Sequence, residues 1–490
     1  LESPDEEGEA SMEKISRRAL IKNAVATSAA SIFCRASLAQ MGRSAGFTAS
    51  LPERGEFVIR NAYVMTMDAE LGDIPGGDVH VRNGQIITVG KDLNVPSAMP
   101  LGGHGMIVLP GLVETHWHMW TTLARGFSGD NLAEAYFPMV LALTKVMTPE
   151  DVFKGTRLGA AEALASGITT VHNWAHSLRG PEYADAELRA LKAVGVRGRF
   201  SYGWYQGIPD TERVNLPDIE RLHKHWASYS NDGLLHLGFG WRGMWRATRL
   251  SPDVYQTEFE FARRMGIPIS VHLDSTVGHD DEIEMHFKEH FLEKGVLVAH
   301  ATHATPAEIR MLADSGASVS FSPVTDARIG YGFAPASEII AAGIPSGLSV
   351  DTTVCSGTCN LFENMKMLVN LENGKAHSEF KLTPRRALEL GTIGGARLLG
   401  IDDQVGSLKP GKRADLIMVS PHALNMGVFS DPAHMLVEAA EEANIDTVVL
   451  DGRILKRHGK MTALNTELAI DEAAAAFGSL CRRANYRQGV

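Results

Sequence analysis

Seven times along the middle of the chain a glycine stands before a short apolar run. The glycines are Gly167, Gly195, Gly233, Gly266, Gly295, Gly316 and Gly343. The runs read ITTVHN, VRGRFSYG, LLHLGFG, IPISVHL, VLVAHA, ASVSFSP and IPSGLSV. Most follow a stretch with helical patterning: EDVFKGTRLGAAEALAS, EYADAELRALKAV, SPDVYQTEFEFARRM, DEIEMHFKEHFLEK, TPAEIRMLADS. Several of these open with Ser-Pro, Thr-Pro or Asp, which suits an N-cap and a first turn. Each glycine fits the left-handed position that ends a helix. The predicted unit is therefore helix, glycine, buried strand, loop. An eighth strand comes from the apolar run Met106 to Val113, which leads into T-H-W-H-M-W at residues 115–120. Eight such units predict a (β/α)8 barrel over residues 111–404, with an active site at the C-terminal strand ends. A doubly wound sheet is the alternative.

The flanks have a different rhythm. Residues 55–110 and 405–465 hold short alternating runs broken by Asx-Gly turns, such as G-D-V-H-V-R-N-G-Q-I-I-T-V-G and I-D-T-V-V-L-D-G-R-I-L-K-R. They are expected to pair into one small β-sandwich beside the barrel. Residues 466–490 read as a C-terminal helix. At the other end, residues 1–11 form an acidic extension. Ser16 begins S-R-R-A-L-I-K, a modestly apolar stretch runs from Ala24 to Phe33, and A-S-L-A-Q closes at Gln40. That order of regions predicts a twin-arginine export signal within residues 1–40, hence a periplasmic or extracellular protein; a basic amphipathic helix, with a cytoplasmic protein, is the alternative.

Composition changes this picture little. The chain has 490 residues, is 44% hydrophobic and 21% charged, as a soluble globular protein is. A net charge of −11 gives nucleic-acid binding no electrostatic support. Four scattered cysteines form no disulfide framework or C-x-x-C zinc pattern. Apart from the signal segment no run is long enough to span a membrane.

The chemistry stands at the strand ends. On a strand, His116 and His118 share one face and Trp117 takes the other. The second strand ends in His172, the fifth in His272, the sixth in His300 and the eighth in Asp351. One histidine at a strand end is usually structural. Five histidines and an aspartate on one rim point to a metal site.

These residues and the segments around them resemble the deaminase and chlorohydrolase-like branch of the amidohydrolase superfamily, from about residue 55 to 460. The resemblance rests on P-G-L-V-E-T-H-W-H (110–118), Arg125-Gly126, G-I-T-T-V (167–171), H-A-T-H (300–303) and S-V-D-T-T (349–353). It extends to L-T-P-R-R-A-L-E-L-G-T-I-G-G-A-R-L-L-G (382–400) and G-S-L-K-P-G-K-R-A-D-L-I-M-V (406–419). It implies that His116, His118, His272 and Asp351 hold one divalent ion, with Zn2+ first and Fe2+, Mn2+ or Co2+ as alternatives. It implies that Asp351 moves the proton of the attacking water and that His300 stabilises the group attacked. The fourth strand lacks the lysine that bridges two metals in binuclear members, which implies a single ion. The superfamily commonly forms homo-oligomers, and the expected partner is a small molecule.

Two family features are altered. Deaminases of this branch carry a glutamate three residues after the fifth-strand histidine; here that position is Ser275. Asp274 is one residue off and should point to the other side of the strand. The H-C-P-x-S-N segment after strand seven reads F-S-P-V-T-D from Phe321 to Asp326. His172, Trp120, Trp174, Trp204, Ser275 and His303 are the candidate pocket residues, with Tyr202, Trp241 and Trp245 among the aromatics near the rim. His172 reads as a pocket-wall hydrogen bonder before a ligand or proton carrier. So many aromatics suggest an apolar or aromatic substrate. The primary expectation is hydrolysis of a non-peptide C–N bond in an amide, urea or carbamate. The alternatives are an aminohydrolase or chlorohydrolase of an aromatic heterocycle, and a catalytically silent binding barrel. The letters G-x-G-x-x-G at 238–243 are read as coincidence, because no helix opens at the third glycine.

Overall fold

The computed structural model describes residues 51–244, 250–276, 278 and 281–486. The extension and export signal of residues 1–40 lie outside the described residues, as does Trp245. Before the barrel come β1 (Glu56–Met65), β2 (Asp73–Arg82), β3 (Gln85–Gly90), β4 (Met99–Gly102) and β5 (Ile107–Pro110). The barrel strands are β6 (Leu112–Val113), β7 (Ile168–Ala175), β8 (Arg197–Tyr202), β9 (Leu235–Gly240), β10 (Ile269–Leu273), β11 (Val296–His300), β12 (Ser318–Phe321) and β13 (Ser346–Leu348). After it come β14 (Leu416–Val419), β15 (Ile445–Leu450), β16 (Arg453–Arg457) and β17 (Lys460–Met461).

The eight strands β6 to β13 are parallel and ordered as in sequence. A doubly wound sheet would reverse that order at a switch point. Instead the two ends meet. Thr115 N–H donates to Leu348 O at 3.1 Å, and His118 N–H donates to Asp351 O at 2.7 Å. This seam closes the barrel and sets the first two histidines beside the eighth-strand aspartate.

The helix signals work as local chemistry predicts. Thr148 and Thr305 each form a reciprocal capping box, with Asp151 and Glu308. Gly195, Gly266 and Gly316 take the left-handed cap conformation. Two glycines differ. Gly233 lies in a turn after Asn231 and Asp232. The helix expected to run up to Gly295 spans only Glu282–Lys288. His290 adopts φ 59°, and the Phe291 N–H reaches back to His286 O at 2.8 Å. That is a Schellman ending with histidine in the usual glycine place.

The apolar run Met106 to Val113 is not one strand. It divides at Gly111 between β5 in the outer sheet and β6 in the barrel. A Cβ at Gly111 would sit 2.1 Å from Thr169 Oγ1, so the crossing needs glycine. His116 and His118 thus lie past the strand end, held by ladder contacts of Trp117 to Asn173 and Asp351.

The flanks pair into one nine-stranded mixed sheet, with β14 beside β5. Its hairpins turn at Asn83-Gly84, Asp451-Gly452 and His458-Gly459, every one of these residues having positive φ. Such pairs match the twist of the strands they join. One apolar cluster, with Phe57, Val79, Val81, Leu101, Leu416 and Val449, draws on both flanks. The buried pair Arg197–Asp415, 2.7 Å apart, ties barrel strand β8 to this sheet. The helix Thr466–Ala484 packs on the helix Pro149–Ala165. Among the described residues, no helix is long and apolar enough to cross a membrane.

Candidate metal centre

His116, His118 and His272 present ring nitrogens to one another, and His116 also groups with His300 and Asp351. His116 Nε2 lies 3.2 Å from His272 Nε2 and 3.3 Å from Asp351 Oδ1. His118 Nε2 is 3.3 Å from the same oxygen. Four ligands at about 2.0–2.1 Å from a tetrahedral ion stand about 3.3–3.4 Å apart. The measured edges fit that figure. Burial holds all three imidazoles below their ordinary pKa, and a neutral ring is the form that binds a metal. Such a convergence of unprotonated donors suits one divalent ion.

The support beneath the ligands is explicit. His118 Nδ1–H donates to Trp174 O at 2.9 Å, which directs Nε2 to the centre. His176 stacks on the His118 ring at 3.9 Å, and its Nδ1 accepts from Trp120 Nε1–H at 2.8 Å. Glu114 sits fully buried below and accepts the backbone N–H groups of His116, Val350 and His172. One carboxylate thereby joins the first, second and eighth strand ends. Burial pushes its pKa up to about 8. His300, Asp351 and Asp274 all have positive φ, at 75°, 59° and 49°. Non-glycine residues hold that conformation at a cost of about 1–3 kcal/mol each, and such strain gathers at functional sites.

His300 has a partner that the sequence did not announce. Its Nδ1 lies 2.8 Å from Asp326 Oδ1, and both side chains are buried. A carboxylate accepts, so Nδ1 carries the proton and Nε2 faces the centre. Burial would lower the His300 pKa, but the charge and hydrogen bond of Asp326 and the charge of Asp351 together outweigh it, and the net direction is upward. Asp326 occupies the altered last position of the segment after strand seven.

The other predicted residues divide. Trp174 is fully buried, with ring centroids 5.2 Å from His118 and 4.6 Å from His272. Trp204 meets Trp174 edge-on at 4.8 Å. Trp120 stands behind His176. Ser275 is buried. His303 lies near Gly332, and its Nε2 has no hydrogen-bond partner. His172 is not open to a substrate: Nδ1–H donates to Thr115 O and Nε2 accepts from Ser201 Oγ, both at 2.7 Å. Burial lowers its pKa to about 3, so it is a neutral bolt between strands. Tyr202 and Trp241 are core side chains rather than rim aromatics, because each is fully buried and Trp241 packs against Phe259 and Phe291. Asp274 does turn away, accepting from the N–H groups of Glu282 and Ile283. Glu114, His176, Asp326, Tyr136 and Tyr331 escaped the sequence reading. Only Asp326 had a signal there, as a departure from a motif.

Two surface hollows, of about 740 and 700 Å³, lie away from this centre. The ligands sit instead under aromatic side chains, a setting for a small substrate.

The profile of the amidohydrolase family matches residues 107–455. A 5′-deoxyadenosine deaminase of Methanosarcina acetivorans is 28% identical over 449 residues, covering 88% of this chain and 99% of that protein. A 5-methylthioadenosine/S-adenosylhomocysteine deaminase of Desulforudis audaxviator is 27% identical, covering 85% and 97%. Among solved structures, an adenosine deaminase from Xanthomonas campestris with bound zinc superimposes with TM-score 0.78 at 22% identity, over 88% of this chain and all of that one. The zinc complex of atrazine chlorohydrolase from Arthrobacter aurescens gives 0.75 at 22%, over 86% and 100%. The profile match spans more than half of the sequence, and the chain belongs to the amidohydrolase family.

Proposed function

We propose that this chain is a zinc-dependent hydrolase that opens the C–N bond of a small amide, urea or carbamate. As a member of its family it is a metal-dependent hydrolase of carbon–nitrogen bonds other than peptide bonds. His116, His118, His272 and Asp351 would hold one divalent ion, which when bound would supply Lewis acidity and make water a nucleophile near neutral pH. Asp351 takes the proton of the added water and passes it to the departing nitrogen. His300, held by Asp326, directs Nε2 at the atom that gains negative charge. Trp204, half-buried and edge-on to the buried Trp174, offers flat apolar surface to the substrate.

The observation that carries the acyl reading is Ser275. Addition of water to an amide carbon needs one proton shuttle, and Asp351 provides it. Amine removal from an aza-ring also protonates a ring nitrogen, and a serine cannot donate that proton near neutral pH. A second reading, aminohydrolase action on a nucleoside or other amino-heterocycle, is favoured by the names of the full-length relatives and by the tryptophan wall.

Two measurements test this. Metal analysis of protein purified without added metal or chelator should return about one zinc per chain. A panel of amides, ureas, carbamates and cyclic imides, run beside 5′-deoxyadenosine and amino-triazines, should give turnover in the first group. Ammonia release confined to the second group would establish the second reading. Export through the twin-arginine route and a homo-oligomeric state belong to the same proposal. The first residue of the mature protein and its mass in solution check them.

A further inference from the structure

Strand β8 alternates Arg197, Arg199 and Ser201 onto one face. That face is the inside of the barrel, since Ser201 meets His172 there and a Cβ at Gly238 of β9 would run into Ser201 and Arg199. His236, two residues before Gly238, shares the face and stands in register with Arg199. Both residues lie below the His172–Ser201 contact, toward the end of the barrel away from the ion site. Arg197 has Asp415 at 2.7 Å as its counter-charge. Arg199 has none. It is buried, at 8% exposure, and among the described residues its one hydrogen bond runs from Nη2 to Leu399 O at 2.6 Å. A guanidinium has five N–H donors, and arginine is rarely buried without an opposite charge. Burial moves its pKa down to about 10 with no carboxylate acting against it, so the charge stays on. His236 Nε2 is also buried without a hydrogen-bond partner.

Arg199 and His236 line the hollow of about 700 Å³, which opens where β10 to β13 begin, at Pro268, Gly295, Ser318 and Pro345. Lys294, Arg397 and His223 are exposed at its rim. A chain of net charge −11 thus gathers five basic side chains around one hollow, and no aspartate or glutamate lines it. Much of the remaining wall is apolar, with Trp226, Ile267, Leu312 and Ile344. Its size is that of a small-ligand pocket. We propose that this hollow is a second, non-catalytic binding site for one small organic anion, a carboxylate or phosphate monoester on a flat apolar body. The oxyanion meets the remaining N–H groups of Arg199 and an N–H of His236, and Lys294 and Arg397 draw it in. The apolar body lies along Trp226 and Ile344. The ligand supplies the charge that the buried guanidinium lacks. The hollow shares no side chain with the ion site, so the inference stands apart from which C–N bond is cut there.

Calorimetry on the zinc-loaded, full-length protein tests this. The probes are benzoate and phenyl phosphate, with benzyl alcohol and inorganic phosphate as controls. An aryl anion should bind at one site per chain, with an affinity that falls as salt rises. The tighter of the two identifies the oxyanion. Benzyl alcohol lacks the charge and inorganic phosphate lacks the apolar body, so each should bind at least about tenfold more weakly. Arg199→Met should weaken the aryl anion by about tenfold or more. Arg397→Met and Lys294→Met remove exposed charges, worth about threefold each and about tenfold together. These rim variants decide the matter if Arg199→Met does not fold. Asp351→Ala, which disables the ion site, should bind the anion as the wild type does. Absence of binding by both aryl anions at millimolar concentration would overturn the proposal. So would wild-type affinity in the double rim variant, or equal binding of either control. Loss of binding in Asp351→Ala would also overturn it, because the anion would then sit on the ion.

Discussion

Asp326 offers the cleanest perturbation of the centre, because it touches His300 and none of the four ligand side chains. The two side chains are buried and meet at 2.8 Å. A hydrogen bond to a charged group is worth about 1.5–3 kcal/mol. If that energy is realised as charge develops at His300, its loss lowers kcat by roughly 10- to 150-fold. Asp326→Asn keeps an oxygen that can accept from Nδ1–H but removes the charge, so about tenfold is expected. Asp326→Ala also frees the ring to rotate and to carry its proton on either nitrogen, so a loss of roughly 100-fold is expected. KM and zinc content should stay unchanged in both. Steady-state kinetics on the wild-type substrate, metal analysis, and nitrogen-15 spectra of labelled histidine form the assay. The spectra should show hydrogens on both ring nitrogens of His300 in the wild type, with Nδ1–H on Asp326, and loss of that doubly protonated form in Asp326→Ala. Full kcat in Asp326→Ala would refute the reasoning, and so would zinc lost in step with activity.

Asp351→Ala and His300→Ala should both abolish turnover, but only Asp351→Ala should weaken zinc binding, which metal titration against a competing chelator will show. Asp415→Ala should destabilise the fold by about 3–5 kcal/mol, since it leaves the Arg197 guanidinium buried without its main partner; denaturant unfolding checks this. Glu187 is a stability titrant away from the ligands, hydrogen-bonded to Asn173, and burial raises its pKa from 4.5 to about 8. Its protonated form stabilises the fold fully below pH 4.5, and that contribution falls as pH rises toward 8. Glu187→Gln does not titrate, so between pH 5.5 and 8 it should gain about 3 kcal/mol relative to the wild type. Parallel denaturant curves at the two pH values will read the gap, and an unchanged gap counts against a buried neutral carboxyl.

The sequence by itself determined the repeat. A helix cap, a run of apolar residues and a glycine with positive φ are all set by neighbours within a few residues. For that reason Thr305, Gly195, Gly266 and Gly316 read correctly. The pairing of His116 and His118 was legible on the same grounds, since alternation is a property of the local chain. Tertiary structure decided what those residues face. Whether the run Met106 to Val113 serves one sheet or two depends on how closely Gly111 meets Thr169. Whether His172 joins the ion or bolts two strands depends on Thr115 and Ser201, which belong to other strands. Asp326 and Tyr331 reach His300 only because the barrel closes and brings successive strand ends to one rim. A backbone pattern carries periodicity, and periodicity names the face of a residue. The partner on that face is chosen by contacts between segments far apart in the chain, and for these the sequence offers no local signal.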